Sequence, residues 1–216
     1  MVRLSLYGSG GLGRIVSEFC QKENTQLIGF IDDEKTDPVL EIPILGRWKN
    51  IETLINLHQI ESIAICLGDG YSQLRWETFE YLVENNLASH PLIHEKTVIS
   101  KHSQIGDGSI ILSTTVVGPQ VKIGANCVIY SSCNLEHDDS IGNNVFISPG
   151  VKICGYVTIG DHTFIGANAT IIPDIAIGNN ATIGAGSTVT KDIPDNAVII
   201  GNPSKLLKTK KRFAYY

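Results

Sequence analysis

Large aromatic rings are scarce in this chain of 216 residues: phenylalanine, tryptophan and tyrosine together make up 7%. An ordinary core uses more of them, so the packing must rest on aliphatic side chains set in some regular way. Charge is low too, at 18% against 43% hydrophobic residues, which excludes a disordered chain. Long apolar runs are missing: stretches of the Ile63–Leu67 kind are the longest, far short of the roughly 18 residues a membrane span needs. Met1-Val2-Arg3-Leu4-Ser5 enters a strand pattern directly, with no apolar stretch or cleavage site of an export signal. The five cysteines (20, 66, 127, 133 and 154) are odd in number and contain no CxxC pair. That usage points to a reducing, cytoplasmic setting in which the thiols serve as small apolar side chains.

A net charge of −5 argues against a general nucleic-acid binder. The charge is unevenly spread. Residues 1–92 hold 7 basic and 13 acidic side chains, whereas residues 93–216 hold 10 and 9. Half of those ten basic residues sit at the end, as Lys205, Lys208, Lys210, Lys211 and Arg212. Such a tail reads either as a solvated end or as a clamp for the phosphates of an anionic cofactor.

What the chain has in abundance is glycine and a six-residue rhythm. From Ile99 to Val189 every sixth residue is aliphatic, sixteen positions without a gap, and Ile93 extends the series. Four residues after each comes a small or aliphatic residue, with Asp139 the single break. Glycine directly follows the aliphatic at eight places, including 106, 118, 124 and 142. A period of six fits neither a 3.6-residue helix nor a two-residue alternation; it fits short strands with a corner after each, where glycine tolerates the turn. Separate hairpins would need Asn-Gly dipeptides, and none occurs.

This pattern resembles the hexapeptide-repeat acyltransferases, whose left-handed parallel β-helix is a triangular prism with three hexapeptides per coil. The resemblance covers residues 93–204 and implies about five coils, with residues 18 apart stacked at roughly 4.8 Å. Columns of Ile and Val would fill a narrow prism that excludes large rings.

The first third reads differently. Residues 2–7 suggest a strand, followed by Gly8-Ser9-Gly10-Gly11-Leu12-Gly13, a GxGxxG, and a helix from about Arg14 to Lys22. Further strands are expected at Leu27–Ile31, ending in Asp32-Asp33, and at Ile63–Leu67, ending in Gly68-Asp69, with a helix over Trp76–Glu84. This is the βαβ pattern of a parallel sheet, with phosphate and ribose chemistry at the strand C-termini. The glycine loop and the acids alone suggest a dinucleotide site, but some 90 residues make only one mononucleotide half, so a nucleotide-sugar fits better. The glycines also admit a reading as tight strand–helix packing, and the paired acids as a solvated turn.

A Rossmann-like half-domain (1–92), a left-handed β-helix (93–204) and a basic tail (205–216) together resemble one subgroup. It comprises the N-acetyltransferases of nucleotide-linked 4-amino-sugars and the sialic-acid O-acetyltransferases, enzymes of glycan biosynthesis. The resemblance implies that Gly10, Gly11, Leu12, Asp32, Asp33 and Gly68 hold the nucleotide-sugar. The subgroup often has His where this chain has Leu12, so that contact differs. The resemblance further implies acetyl-CoA as co-substrate, with Phe146, Ala167 and Ala185 contacting it mostly through backbone. Gly201-Asn202-Pro203-Ser204-Lys205 is close to the family's terminal Gly-x-Pro-Ala-Lys signature and puts Lys205 near the CoA phosphates. A homotrimer with sites between subunits is implied as well.

Acyl transfer needs a base near the nucleophile and donors for the developing oxyanion. Of six histidines (58, 90, 94, 102, 137 and 162), His137 alone stands among carboxylates, in Glu136-His137-Asp138-Asp139. It also lies in the one hexapeptide whose second register fails, and a broken local rule marks functional sites. A neighbouring carboxylate orients an imidazole and fixes its tautomer; the resembling enzymes have His-Glu here and this chain His137-Asp138. His162, after Asp161, is a weaker candidate in a regular repeat. One coil on from His137 stands Gly155, whose N–H, free of a side chain, is the expected oxyanion donor, as the resemblance also implies. Cys133 falls on the inward register, so direct transfer without an acyl-enzyme is expected.

The leading expectation is N-acetylation of a UDP-linked 4-amino-4,6-dideoxy sugar. Rivals are O-acetylation of a sialic acid, N-acetylation of a GDP-sugar such as GDP-perosamine, and a non-catalytic scaffold. No metal is expected: a zinc site would draw on His102, His137 and His162, whose spacings are not multiples of 18.

Overall fold

The computed structural model describes residues 1–21 and 24–209 and divides into two compact units, Met1–Leu92 and a second beginning at Ile93. The first holds a four-stranded parallel sheet of β1 (Val2–Tyr7), β2 (Thr25–Ile31), β3 (Ile44–Gly46) and β4 (Ser62–Ile65), in the order β3-β2-β1-β4. β1 thus has β2 on one side and β4 on the other, and the chain switches direction across it. Such a switch leaves a crevice at the carboxyl ends of the strands. Leu4, Leu6, Phe30, Ile31, Ile63 and Ile65 are all buried.

Among the described residues three α-helices accompany the sheet: α1 (Gly11–Ser17), α2 (Ile51–His58) and α3 (Ser72–Glu84). α1 starts three residues before the expected Arg14 and stops earlier, where the Ser17 hydroxyl bonds back to the Arg14 carbonyl at 2.8 Å. Lys22 lies outside the described residues. α3 begins four residues before Trp76, entered through a 3-10 turn at Asp69–Tyr71. β3 and α2 were not expected. β3 is three residues long, and α2 buries only Ile51 and Leu54, so neither leaves much periodic signal.

The second unit is a left-handed parallel β-helix. Seventeen two-residue strands, from Leu92–Ile93 to Thr188–Val189, recur every six residues and form three parallel sheets. Pairing runs from each residue to the one 18 further on: Val128 with Phe146 and Phe146 with Phe164, Asn134 with Lys152, Ser140 with Thr158. The second residue of each strand points inward, and the column Ile129, Ile147, Ile165 and Ile183 is wholly buried. Rings stay outside the prism, where Phe146 packs between Tyr130 (5.4 Å) and Phe164 (5.9 Å).

The corners differ from expectation in one respect. The residue after the inward aliphatic does not take the left-handed turn. That conformation falls two residues later, at Thr114, Gln120, Asn126, Ser132, Asp138, Asn144 and onward, with φ near +60°. The glycines serve close approach instead: a Cβ on Gly118 would lie 1.4 Å from the Glu136 carbonyl oxygen of the next coil.

Strand Ala197–Ile200 continues one sheet, and Lys205–Thr209 returns along it antiparallel, Ile200 opposite Lys205 and Ala197 opposite Thr209. The start of the expected tail is therefore a paired strand, because the turn at 201–204 folds it back onto an open sheet edge. Lys210, Lys211 and Arg212 lie outside the described residues. No helix among the described residues is long and apolar enough to cross a membrane.

Because inward side chains stack in unbroken columns, a void in one coil has no neighbour free to fill it. Ile147→Ala is expected to lower the stability of the folded chain by about 2–5 kcal/mol, read as a shift of the denaturant midpoint.

Candidate active site

Chemistry-bearing residues gather in each unit. In the first, a cavity of about 280 Å³ opens at the carboxyl ends of β1, β2 and β4, lined by Tyr7, Gly10, Asp32, Asp33, Lys35 and Gly68 among others. The glycine loop comes close because Gly13 rests against the end of β1: a Cβ there would lie 2.0 Å from the Gly8 carbonyl oxygen. At Gly10 and Gly68 a Cβ would meet nothing within 4 Å, so both leave open space on the cavity side. Gly11 is exposed and outside the cavity lining. Leu12, expected to touch the ligand, is 3% exposed and belongs to the core, its side chain turned to where α1 packs on the sheet.

The two acids behave differently from each other. Asp32 is already filled: Oδ2 accepts the Ser9 N–H (2.9 Å) and hydroxyl (2.6 Å), and Oδ1 accepts the N–H groups of Glu34 (3.0 Å) and Lys35 (2.9 Å). Burial works against its charge, but the Ser9 hydroxyl and three backbone donors outweigh this and bring its pKa down to about 2. Asp32 is thus the clamp that ties the glycine loop to β2. Asp33 accepts one bond per oxygen, from the Tyr7 hydroxyl (2.6 Å) and the Trp48 N–H (2.8 Å), and keeps a lone pair on each for a ligand. Burial, followed by the bond to Asp33, raises the Tyr7 phenol well above its ordinary value. Tyr7 stacks on Trp48 at 4.6 Å, giving the crevice an aromatic wall that sequence reasoning missed. Lys35 was missed as well; its ammonium lies 3.2 Å from the Ser9 carbonyl.

In the second unit His137 occupies a corner of the prism, its side chain 46% and that of Asp138 39% exposed. Nδ1 lies 3.0 Å from Asp138 Oδ2. With the Nδ1 proton on that bond, Nε2 carries a free lone pair. Asp138 holds the left-handed position (φ +55°), which turns its carboxylate back on the imidazole. The ring lies over Gly155, where an added Cβ would sit 2.4–2.8 Å from Cε1, Nε2 and Nδ1, so only glycine leaves it room. Tyr156 meets the imidazole edge-on at 5.3 Å, and its N–H donates to the His137 carbonyl at 3.1 Å.

Burial sets the Gly155 N–H apart from its counterparts on the other coils. On another corner the N–H groups of Ala125, Asn143, Asp161 and Asn179 each donate to an Asn or Asp oxygen of the following coil at 2.6–2.9 Å. The residue 18 beyond Gly155 is Pro173, which offers no such oxygen; like the N–H groups of Ser131, His137, Ala167 and Ala185, that of Gly155 has no acceptor among the described residues, and of these five residues Gly155 alone is buried. A buried donor left unpaired is costly and suits an oxyanion.

The remaining expected residues lie apart from this ring. His162 stands in a ladder, with the Asn144 amide 3.0 Å from its Nδ1, and is a corner element. Phe146, 4% exposed, packs its ring between neighbouring rings, so it has backbone but no side chain to give a cofactor. Ala167 and Ala185 are rung partners at one corner, where the Gly186 N–H donates to the Ala167 carbonyl at 2.8 Å. Lys205 is exposed at the head of the return strand. Among the described residues no three His, Cys, Asp or Glu side chains converge as a metal ion would require.

Two family models match the chain: the PglD N-terminal domain over residues 3–82, and the bacterial transferase hexapeptide (six repeats) over 102–137, 140–173 and 156–191. No curated protein sequence matches it. Among solved structures, the acetyltransferase domain of PglB from Neisseria gonorrhoeae FA1090 shares 26% identity at a TM-score of 0.88, over 96% of this chain and 100% of that one. That domain has also been solved in complex with acetyl coenzyme A. WeeI from Acinetobacter baumannii AYE shares 26% at 0.81, over 96% and 100%. PerB from Caulobacter crescentus, solved with CoA and GDP-perosamine, shares 22% at 0.89, over 96% and 98%, a likeness of fold.

Two expectations arise from the geometry. Asp32 has its pKa depressed on folding, so its contribution to stability is complete above about pH 4 and fades as pH falls toward about 2. Asp32→Ala should lose about 1–3 kcal/mol at neutral pH and show a smaller further loss over that acid range, followed by denaturant titration. Gly155→Ala should displace the imidazole and cut kcat by about a hundredfold, with an unchanged far-UV circular dichroism spectrum.

Proposed function

The chain belongs to the hexapeptide-repeat sugar acetyltransferases that carry a PglD-type N-terminal domain, and from that premise we propose that it N-acetylates a nucleotide-linked amino-sugar. The acceptor is the 4-amino group of a 4-amino-4,6-dideoxy sugar, UDP-linked in the first instance, and acetyl-CoA supplies the thioester. The observation that carries this reading is the imidazole of His137, oriented by Asp138 and lying on Gly155, whose N–H has no acceptor of its own among the described residues.

His137 Nε2 takes a proton from the sugar amine as the nitrogen attacks the thioester carbonyl. The Gly155 N–H donates to the oxygen as it gains negative charge. Imidazolium then returns the proton to the departing CoA thiolate, leaving an amide and a free thiol. Asp138 holds Nδ1–H throughout and keeps Nε2 the reactive nitrogen. No acyl-enzyme is required. Burial pushes the Cys133 thiol up to about 11, and its Sγ bonds to the Ser148 carbonyl at 3.2 Å inside the prism.

Asp33, Lys35, Gly10 and Gly68 are the residues assigned to the nucleotide-sugar, with Asp33 accepting from the base or ribose and Lys35 meeting a phosphate. The Ala167 and Ala185 corner, with Lys205, is assigned to acetyl-CoA. A homotrimer in the cytoplasm, with sites completed between subunits, accompanies this reading. A prism with three sheets supports such an assembly.

Incubation with acetyl-CoA and a panel of UDP- and GDP-linked 4-amino-sugars, with free thiol followed, tests the assignment. Thiol release with a UDP-linked amine is expected; release with GDP-linked amines only would move the nucleotide, and release with hydroxyl acceptors only would overturn the amine. His137→Ala should lower kcat by about 10²–10⁴-fold; near-wild-type turnover would remove it as the base. Light scattering should give three times the chain mass.

A further inference from the structure

The residue that breaks the repeat is Asp139, not His137 itself, and the chemistry described above leaves it unused. It is 1% exposed in an inward column whose rung neighbours are Val121 and Val157. Its Oδ1 accepts the Val157 N–H at 2.9 Å. Its Oδ2 is buried and has no hydrogen-bond partner among the described residues.

Other polar side chains in this register show what the place demands. Ser109, Thr115 and Thr163 each accept an N–H from 18 residues on, at 3.0, 3.3 and 3.1 Å. Each also donates to a carbonyl 15 residues on, that of Gly124, Tyr130 or Gly178, at 2.8–2.9 Å. The thiols of Cys127 and Cys133 reach the Gly142 and Ser148 carbonyls in the same way, at 3.1 and 3.2 Å. Asp139 makes the first of these two bonds. The second would go to the carbonyl of Cys154, which receives no other hydrogen bond among the described residues. A carboxylate oxygen cannot donate there, but a carboxylic acid can. The Cys154 carbonyl and the Gly155 N–H belong to one peptide group.

We propose that Asp139 is a neutral acid whose Oδ2–H donates to the Cys154 carbonyl, making it a positioning residue for the Gly155 N–H. A bond to that carbonyl fixes the plane of the peptide and strengthens its N–H as a donor through the same resonance. Burial, ahead of every other influence, raises the Asp139 pKa to about 7, against the lowering effects of the Val157 N–H, of His137 and of the Glu136 N–H. The surrounding titratable groups are Glu136, His137 and Asp138 on its own coil, Lys122 on the coil before, and Cys154 and Tyr156 on the coil after. The role in catalysis rests on the function proposed above; the protonation state does not.

Infrared difference spectra of the full chain between pH 5 and 9 provide a readout independent of activity. A protonated-carboxyl C=O band that persists to about pH 7 and is absent from Asp139→Asn is expected. No such band at pH 5 or above, as for an ordinary carboxylate with a midpoint near about 4, would overturn the proposal. Kinetics then test the positioning. Asp139→Asn supplies an acceptor oxygen and a donor N–H at every pH, and should keep kcat within about twofold while removing the fall in kcat above about pH 7. Asp139→Val matches its rung neighbours and should fold, yet lower kcat about tenfold with KM within about twofold. A Val variant with wild-type kcat, or an Asn variant no better than Val, would end the positioning role. If no acceptor yields thiol release from the wild-type chain, the functional reading fails while the infrared titration still decides the acid.

Discussion

The hydrogen-bonded pairing of each strand with the one 18 residues further on is the constraint on which the catalytic half depends. Once it is repeated around three sheets, each side chain has assigned neighbours above and below. Inward columns then need no large residue, and side-chain oxygens at one corner accept backbone N–H groups of the coil before. The imidazole of His137 uses the same address system: Gly155 is its rung partner and Tyr156 donates to its carbonyl. Precision comes from a scaffold in which backbone, not a loop, sets the position of the ring.

The first unit solves a different problem with carboxylates. Asp32 commits all its accepting capacity inside the protein, binding Ser9 and the backbone beyond β2. Asp33 commits half of its own, to Tyr7 and Trp48. Two adjacent acids of the same type thus divide into a structural member and one with capacity left over. The hydrogen bonds decide which is which.

Much of this was legible in the chain and some was not, for physical reasons. The period of six was plain because the inward residue of every two-residue strand is aliphatic, and the rung spacing then pointed from His137 to Gly155. The left-handed corner register shows in part, because Asn, Asp and Gly fill most of it, at 126, 138, 144, 150, 168, 174, 180 and 186 among others, but Thr114, Gln120, Tyr156 and His162 adopt it too and blur the signal. The clamp at Asp32 was hidden because most of its donors are backbone N–H groups, which every residue type but proline carries. Leu12 looked like a ligand contact because the loop motif was visible, whereas the direction of its side chain depends on how α1 meets the sheet. The basic composition of 205–209 suggested solvated chain, yet a strand on a sheet edge can turn its lysines to water and still pair through its backbone.

The coil geometry gives the reactive ring coordinates rather than merely a location. Moving the His-Asp pair by one turn of the prism in either direction would reproduce the same corner and the same left-handed backbone about 4.8 Å away. A glycine seat would have to travel with the pair, as Gly155 accompanies His137 here. Chemistry on such a scaffold is therefore transposable in discrete steps.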